Sequence, residues 1–160
     1  MKYFIGIDNG VTGSIGILNH DGIVIYKPMP VVRVLNYTKS KQWLHRINGG
    51  ALEAFLRDFG QNEVFCLIER PMVNPGRWKA TVSAIRALEA TQIVLELLKI
   101  PYQFIDSKEW QRAMLPVGLE KEELKDASLE VGRRLFPSVD WSKSKDADGL
   151  LIAEYARRRY

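Results

Sequence analysis

Two short apolar segments of this chain, residues 3–8 and 64–69, each end in an acid, Asp8 and Glu69. Near-continuous apolar runs bounded by turn residues are typical of strands buried inside a sheet. Parallel neighbouring strands end at the same edge of their sheet, where ligands of open α/β folds bind. The sequence therefore predicts two carboxylates side by side at one sheet edge.

The remaining pattern predicts an α/β fold. Asp21-Gly22 separates apolar runs at residues 14–18 and 23–29, which is a strong hairpin signal. Helical periodicity over residues 79–98 precedes a fifth strand at residues 101–105. Because strand-helix-strand crossovers are right-handed, we expect a mixed five-stranded sheet in the order 3-2-1-4-5 with helices on both faces. The other predicted helices cover residues 51–59, 108–114, 120–136 and 146–159. Residues 30–50 lack a clean period and are predicted to form a long loop, with a short strand at 31–35 as the one candidate element.

The length and composition of the chain exclude several classes of protein. A chain of 160 residues is predicted to form one domain, residues 1–160. A single cysteine, Cys66, excludes an intramolecular disulfide, and with two histidines it excludes a cysteine-based zinc site. No apolar stretch reaches membrane-spanning length, and the first apolar run stops at Asp8, so neither a membrane segment nor a signal peptide is expected. These features predict a cytoplasmic protein.

The paired carboxylates predict a metal site. Two unpaired carboxylates close together raise each other's pKa, and a divalent cation removes that cost. Oxygen ligands without cysteine or histidine clusters favour Mg²⁺, with Mn²⁺ as a substitute. The alternative is that Asp8 and Glu69 only end their strands, or that one of them pairs with Arg70.

The final predicted helix supplies a third acid. Asp148 shares a helical stripe with Leu151, Ile152 and Tyr155, which is an unusual position for an acid unless the sheet edge holds a metal. Asp146 lies about 200° away on a regular helix, so it is predicted to be an N-cap or an outer ligand. An N-terminal helix dipole that favours an acid is the alternative explanation for Asp148.

Basic residues and aromatic residues are concentrated in two segments, and the net charge is +4. No acid lies between Asp21 and Glu53, and none lies between Glu69 and Glu89. Cations interleaved with aromatic rings suit a nucleic-acid backbone and its bases. A solvated basic surface is the alternative. The predicted DNA-binding residues are Arg33, Lys39, Lys41, Arg46, Arg77, Trp78 and Lys79.

The chain also resembles a known family. The strings IGIDNGVTG at residues 5–13 and LIERP at 67–71 are similar to the first and fourth strands of RuvC-type Holliday junction resolvases. Four further strings resemble the phage branch of that group: MVNPGRWKA at 72–80, ALEAT at 87–91, IDSKEWQ at 105–111 and ADGLLIAEY at 147–155. The resemblance covers nearly the whole chain.

This resemblance implies a ribonuclease H-like fold, a homodimer, and metal-dependent cleavage of four-way DNA junctions in a bacterial or phage-infected cell. Asp8 and Glu69 match the first two catalytic acids of the family, and Asp148 matches the acid of its final helix. Many members carry a further acid three or four residues earlier, where this chain has Lys145 and Ser144, so Asp146 is the candidate substitute.

The resemblance also suggests individual roles. Two Mg²⁺ ions are expected, with Asp8 bridging them and Glu69 and Asp148 on either side. Lys108 and Lys121 resemble basic residues near the scissile phosphate. The predicted helix over residues 79–98 is the candidate dimer interface, and an ordinary core helix is the alternative.

Two other functions remain open at the level of sequence. ATPases of the sugar-kinase and actin group also use a Gly-x-Asp-x-Gly-x-Thr-Gly turn, but they need two such domains around the nucleotide. A non-catalytic junction-binding protein could keep the fold and lose the chemistry, and the missing earlier acid is the feature that favours it.

Overall fold

The computed structural model describes residues 2–39, 41–60 and 62–160. Its strands are β1 Lys2–Ile7, β2 Ser14–Asn19, β3 Val24–Pro28, β4 Val31–Leu35, β5 Trp43–Ile47, β6 Glu63–Glu69 and β7 Tyr102–Ile105. Five of them form one sheet in the order β3-β2-β1-β6-β7, with β1, β6 and β7 parallel. These are the five predicted segments in their predicted spatial order, so the predicted fold class is confirmed.

Helices cover both faces of the sheet, as predicted. They are α1 Gly49–Leu56, α2 Trp78–Leu97, α3 Ser107–Met114, α4 Leu124–Leu135 and α5 Asp148–Arg159. Side chains alternate along β1, so Ile5 and Ile7 enter the core under α1 and α2, whereas Phe4 enters the core under α3, α4 and α5. No helix in the described ranges is both long and apolar enough to cross a bilayer.

The prediction of a long loop at residues 30–50 is wrong. A two-stranded antiparallel sheet, β4 and β5, occupies most of this segment, and only the short strand at 31–35 was foreseen. Both faces of a two-stranded sheet remain largely accessible to solvent, so neither strand needs regular apolar alternation. Trp43 at 56% exposure and Val32 at 38% illustrate this.

Two helices begin later than predicted. Helix α4 starts at Leu124 rather than residue 120, because Glu120 and Glu123 close a turn in which the Glu120 N–H donates to the Glu123 carboxylate at 2.7 Å. Helix α5 starts at Asp148 rather than 146. The Tyr26 hydroxyl donates to the Asp146 carbonyl at 3.0 Å, and this contact with the sheet keeps Asp146 outside the helix.

Glycines allow α5 to lie directly on β1 and β2. A Cβ added to Gly16 would lie 2.4 Å from the Leu150 Cα, and one added to Gly6 would lie 2.3 Å from the Ala153 nitrogen. A Cβ on Gly149 would in turn lie 2.7 Å from the Ser14 carbonyl oxygen. These contacts are with backbone atoms, which cannot rotate away. Any side chain at these positions would therefore push the start of α5 off the sheet.

We expect Gly16→Ala to destabilise the protein by about 1–3 kcal/mol, the usual cost of overpacking a core. Chemical denaturation would measure this loss. Gly50→Ala is the matched control, because Gly50 lies in the first turn of α1 with its nearest neighbouring atom 3.8 Å from the added Cβ. The control should be neutral or slightly stabilising. Equal stability of the Gly16→Ala and wild-type proteins would contradict this account of the α5 contact.

Candidate functional site

The two strand-end acids are neighbours in the fold. Strands β1 and β6 are parallel, and Ile7 pairs with Ile68 in their register. Asp8 directly follows β1, and Glu69 is the last residue of β6. Both carboxylates therefore lie at the carboxyl edge of the central pair of strands, where the sequence predicts them.

The start of α5 brings two more acids to this edge. Oxygen atoms of Asp8, Asp146 and Asp148 all lie within 4.8 Å of one another. Glu69 stands outside this group, but its charge raises the pKa of both Asp8 and Asp148. The predicted placement of Asp146, about 200° from Asp148 on a regular helix, is wrong, because α5 begins only at Asp148. We call Asp8, Glu69, Asp146 and Asp148 the acidic group.

Neutral donors from separate elements hold three of these acids. The Ser128 hydroxyl on α4 donates to Asp148 Oδ1 and accepts the Ala147 N–H at 3.1 Å. The Ser14 hydroxyl on β2 lies 3.4 Å from Asp146 Oδ1. The Trp110 indole N–H on α3 donates to Glu69 Oε2 at 2.6 Å. The sequence analysis did not identify these donors. In two of the three cases the donor lies 40 or more residues from its acid along the chain, so no local pattern links the two.

Burial and mutual repulsion raise the pKa values of Asp8, Glu69 and Asp148. Burial, then the charge of Asp146, raises the pKa of Asp148 to about 7, although the Ser128 hydrogen bond opposes this. Burial raises the pKa of Asp8 well above its ordinary value, and the charges of Asp148, Glu69 and Asp146 add to the effect. Burial also raises the pKa of Glu69, and the Trp110 N–H opposes it.

The donor set fits a divalent cation. The acidic group offers carboxylate oxygens and no thiolate or imidazole, which is the chemistry that Mg²⁺ and Mn²⁺ prefer. Asp146 is buried, with 3% of its surface exposed, yet its partners are neutral hydroxyl and backbone groups. Like charges held this close repel one another, and a cation between them would reverse that cost.

A lysine that the sequence analysis did not select lies beside the acidic group. The charge of Lys125, in the first turn of α4, lowers the pKa of Asp8 and of Asp148.

Lys121 lies in the turn that precedes α4, and Lys108 lines a separate open depression with Gln111 and Arg112. The roles suggested for Lys108 and Lys121 therefore stay predictions. The side of α4 that meets the acidic group depends on how this helix packs against the sheet, and this is why Lys125 could not be identified from the sequence.

The two basic segments meet across one cleft. Strand β5 contributes Trp43 and Arg46, and the start of α2 contributes Trp78 and Lys79, to a cleft of about 550 Å³. The indoles of Trp43 and Trp78 are 56% and 69% exposed. The Arg33 guanidinium lies 4.8 Å from the centre of the Trp43 ring, which is cation–π geometry. Lys39 and Lys41 lie in the turn of the β4–β5 hairpin, and Arg77 directly precedes α2; all three are exposed.

Comparison with known proteins identifies the architecture. Over 99% of this chain and 96% of the other, the structure matches T. thermophilus RuvC in complex with a Holliday junction substrate, with a TM-score of 0.61 and 17% identity. The chain has a RuvC-type fold. A second structure, Thermus thermophilus RuvC, matches 98% of this chain and 96% of its own, with a TM-score of 0.56 and 20% identity. No protein-family model matches the chain, and no curated protein gives a significant sequence match. The assignment to a phage branch of the RuvC group stays a prediction.

Without divalent cations, we expect the stability of this protein to fall as the pH rises. The pKa of Asp148 is about 7 in the folded protein, against about 3.9 in an unfolded chain. The folded state thus binds a proton that the unfolded chain has lost, so this stabilisation is complete below about pH 4 and disappears as the pH passes 7. The raised pKa values of Asp8 and Glu69 act in the same direction.

Melting temperatures in EDTA between pH 5 and 8 would test this dependence. About 1 kcal/mol corresponds to about 2–4 °C in a domain of this size, so a fall of several degrees is expected. Asp148→Asn removes the titrating group and should flatten the fall, and millimolar Mg²⁺ should raise the wild-type melting temperature most at pH 8. If the melting temperatures of wild type and Asp148→Asn fell in parallel as the pH rises, Asp148 would not be the group responsible for the pH dependence.

Proposed function

We propose that this protein is a metal-dependent, structure-selective endonuclease that resolves four-way and related branched DNA junctions by hydrolysing phosphodiester bonds. The observation that carries the proposal is the acidic group at the carboxyl edge of a RuvC-type fold. RuvC of T. thermophilus, whose fold this chain shares, was captured with a Holliday junction substrate, and this supports the choice of substrate.

In this proposal Asp8, Glu69, Asp146 and Asp148 hold Mg²⁺ or Mn²⁺, with two ions per site. When bound, such ions supply an activated water and neutralise charge on the phosphate. Asp8 is central to the group, since the other three acids all raise its pKa. Lys125 is the candidate cation for the phosphate, together with Lys121 and Lys108 from the family resemblance. Asp146 makes up for the missing earlier acid, and this favours a nuclease over a non-catalytic junction-binding protein.

The cleft between the β4–β5 hairpin and α2 is the proposed surface for the DNA arms. Its cations match a phosphate backbone, and its exposed indoles match base or sugar faces. Contacts of this kind recognise the shape of DNA more than its sequence.

A homodimer is part of the proposal, because two strands of a two-fold junction require two sites. Helix α2 is the candidate interface. Its exposed apolar residues Ile85 and Leu97, at 45% and 73% exposure, lie outside the lining of the cleft proposed for DNA.

Asp8→Asn should abolish cleavage of a four-way junction in Mg²⁺ while leaving junction binding intact or tighter, because the change removes a charge that repels phosphate but keeps the side-chain shape. Gel assays with junction, flap and linear duplex substrates would measure both properties. Asp146→Asn and Asp148→Asn should also lose most cleavage. Asp58→Asn, an exposed acid after α1, is the matched control and should cut normally. Normal junction cleavage by Asp8→Asn, or equal cleavage of linear duplex by wild type, would refute the proposal.

Replacing Lys39, Lys41 and Arg46 together by Ala should weaken binding to all DNA sequences alike. The log–log salt dependence of the binding constant should become shallower by about 0.9 for each lost phosphate contact. A control with the same loss of charge, Lys99, Arg133 and Arg134 to Ala, changes exposed cations at the far ends of α2 and α4. An identical salt dependence in both triple variants would mean that the hairpin cations are ordinary surface charges.

A further inference from the structure

The Trp110 indole has an unusual partner. Trp110 lies on α3 with no exposed surface, packed in the core that also contains Phe4, Leu67 and Leu151. A buried indole N–H needs an acceptor, since leaving it unpaired is costly. Here the acceptor is Glu69 Oε2, at 2.6 Å. A carboxylate makes this a charge-assisted hydrogen bond, which is stronger and more directional than a neutral one.

The partner matters because Glu69 is the outlying member of the acidic group. The close group consists of Asp8, Asp146 and Asp148, and Glu69 stands beyond it. The Trp110 ring is locked by packing on all sides, so its N–H fixes the position of Oε2. The other oxygen, Oε1, takes no part in this hydrogen bond.

We propose that Trp110 is a positioning residue, which holds Glu69 at the rim of the close aspartates and thereby sets the affinity for a divalent ion that Glu69 ligates. The inference rests on the proposed function, because it assumes that the acidic group binds cations. Hydrogen-bonded partners of metal ligands typically contribute 10–100-fold to metal affinity. Trp110 takes this part for Glu69, as Ser128 does for Asp148.

A second buried tryptophan separates this role from simple packing. Trp141 lies in the same core at 8% exposure, and its indole N–H donates to the Phe136 carbonyl at 3.0 Å. Both indoles are therefore buried and paired, but only that of Trp110 reaches an acid of the group. Trp141→Phe is the matched control for Trp110→Phe, because each change keeps a ring and removes one N–H.

Calorimetric titration of Mn²⁺ into the DNA-free protein is the test. Trp110→Phe should weaken the Glu69-dependent binding step by about 10–100-fold. Trp141→Phe should leave Mn²⁺ affinity unchanged even if its melting temperature falls. Unchanged affinity in Trp110→Phe, or an equal loss in both variants, would overturn the inference. If Trp110→Phe does not fold, benzothienylalanine at position 110 removes the N–H with little change of shape, and the same outcomes apply.

A double-mutant cycle assigns the effect to Glu69. Glu69→Gln alone should weaken Mn²⁺ binding, and adding Trp110→Phe should then cost nothing further, since the carboxylate that the indole holds is gone. Additive losses would overturn the inference. These readouts are independent of cleavage: Mn²⁺ binding that follows this pattern in a protein that cuts no junction would refute the nuclease proposal and leave the role of Trp110 intact.

Discussion

The contact of α5 with β1 and β2 is the constraint on which the rest of the structure depends. Because Gly6, Gly16 and Gly149 have no side chains, the backbone of the helix lies against the backbone of the strands. This close approach brings the first turn of α5 to the end of β1, within reach of Asp8. This packing interaction therefore assembles acids that are about 140 residues apart in the chain.

The same contact creates an electrostatic cost that the protein offsets only in part. Neutral donors on α3, α4 and β2 each bond one carboxylate oxygen, of Glu69, Asp148 and Asp146 respectively, and Lys125 is a nearby cation. Burial still raises the pKa values of Asp8, Glu69 and Asp148. A site of this kind is stable as folded but unfavourable when fully charged, and a bound divalent cation is the physical change that would reverse this balance.

The sequence was sufficient to predict those elements whose structure is determined by their own residues. The buried runs that end at Asp8 and Glu69 predicted two parallel strands, and the parallel register makes those acids neighbours. The sequence did not predict β5, because this strand is mostly exposed and has no clear apolar alternation. It also misplaced Asp146, whose position depends on a contact with Tyr26, far away in the chain. Trp110, Ser128 and Lys125 also depend on how α3 and α4 pack against the sheet, and no spacing in the sequence encodes that packing.

In our proposal, three separate elements of a RuvC-type fold build one cation site. Anomalous diffraction from crystals soaked in Mn²⁺ tests this most directly. We expect Mn²⁺ at the carboxyl edge of β1, in contact with Asp8 and with at least one of Asp146 and Asp148, and a further Mn²⁺ that contacts Glu69. Crystals that bind no Mn²⁺ at this edge, or bind it only elsewhere on the protein, would contradict it.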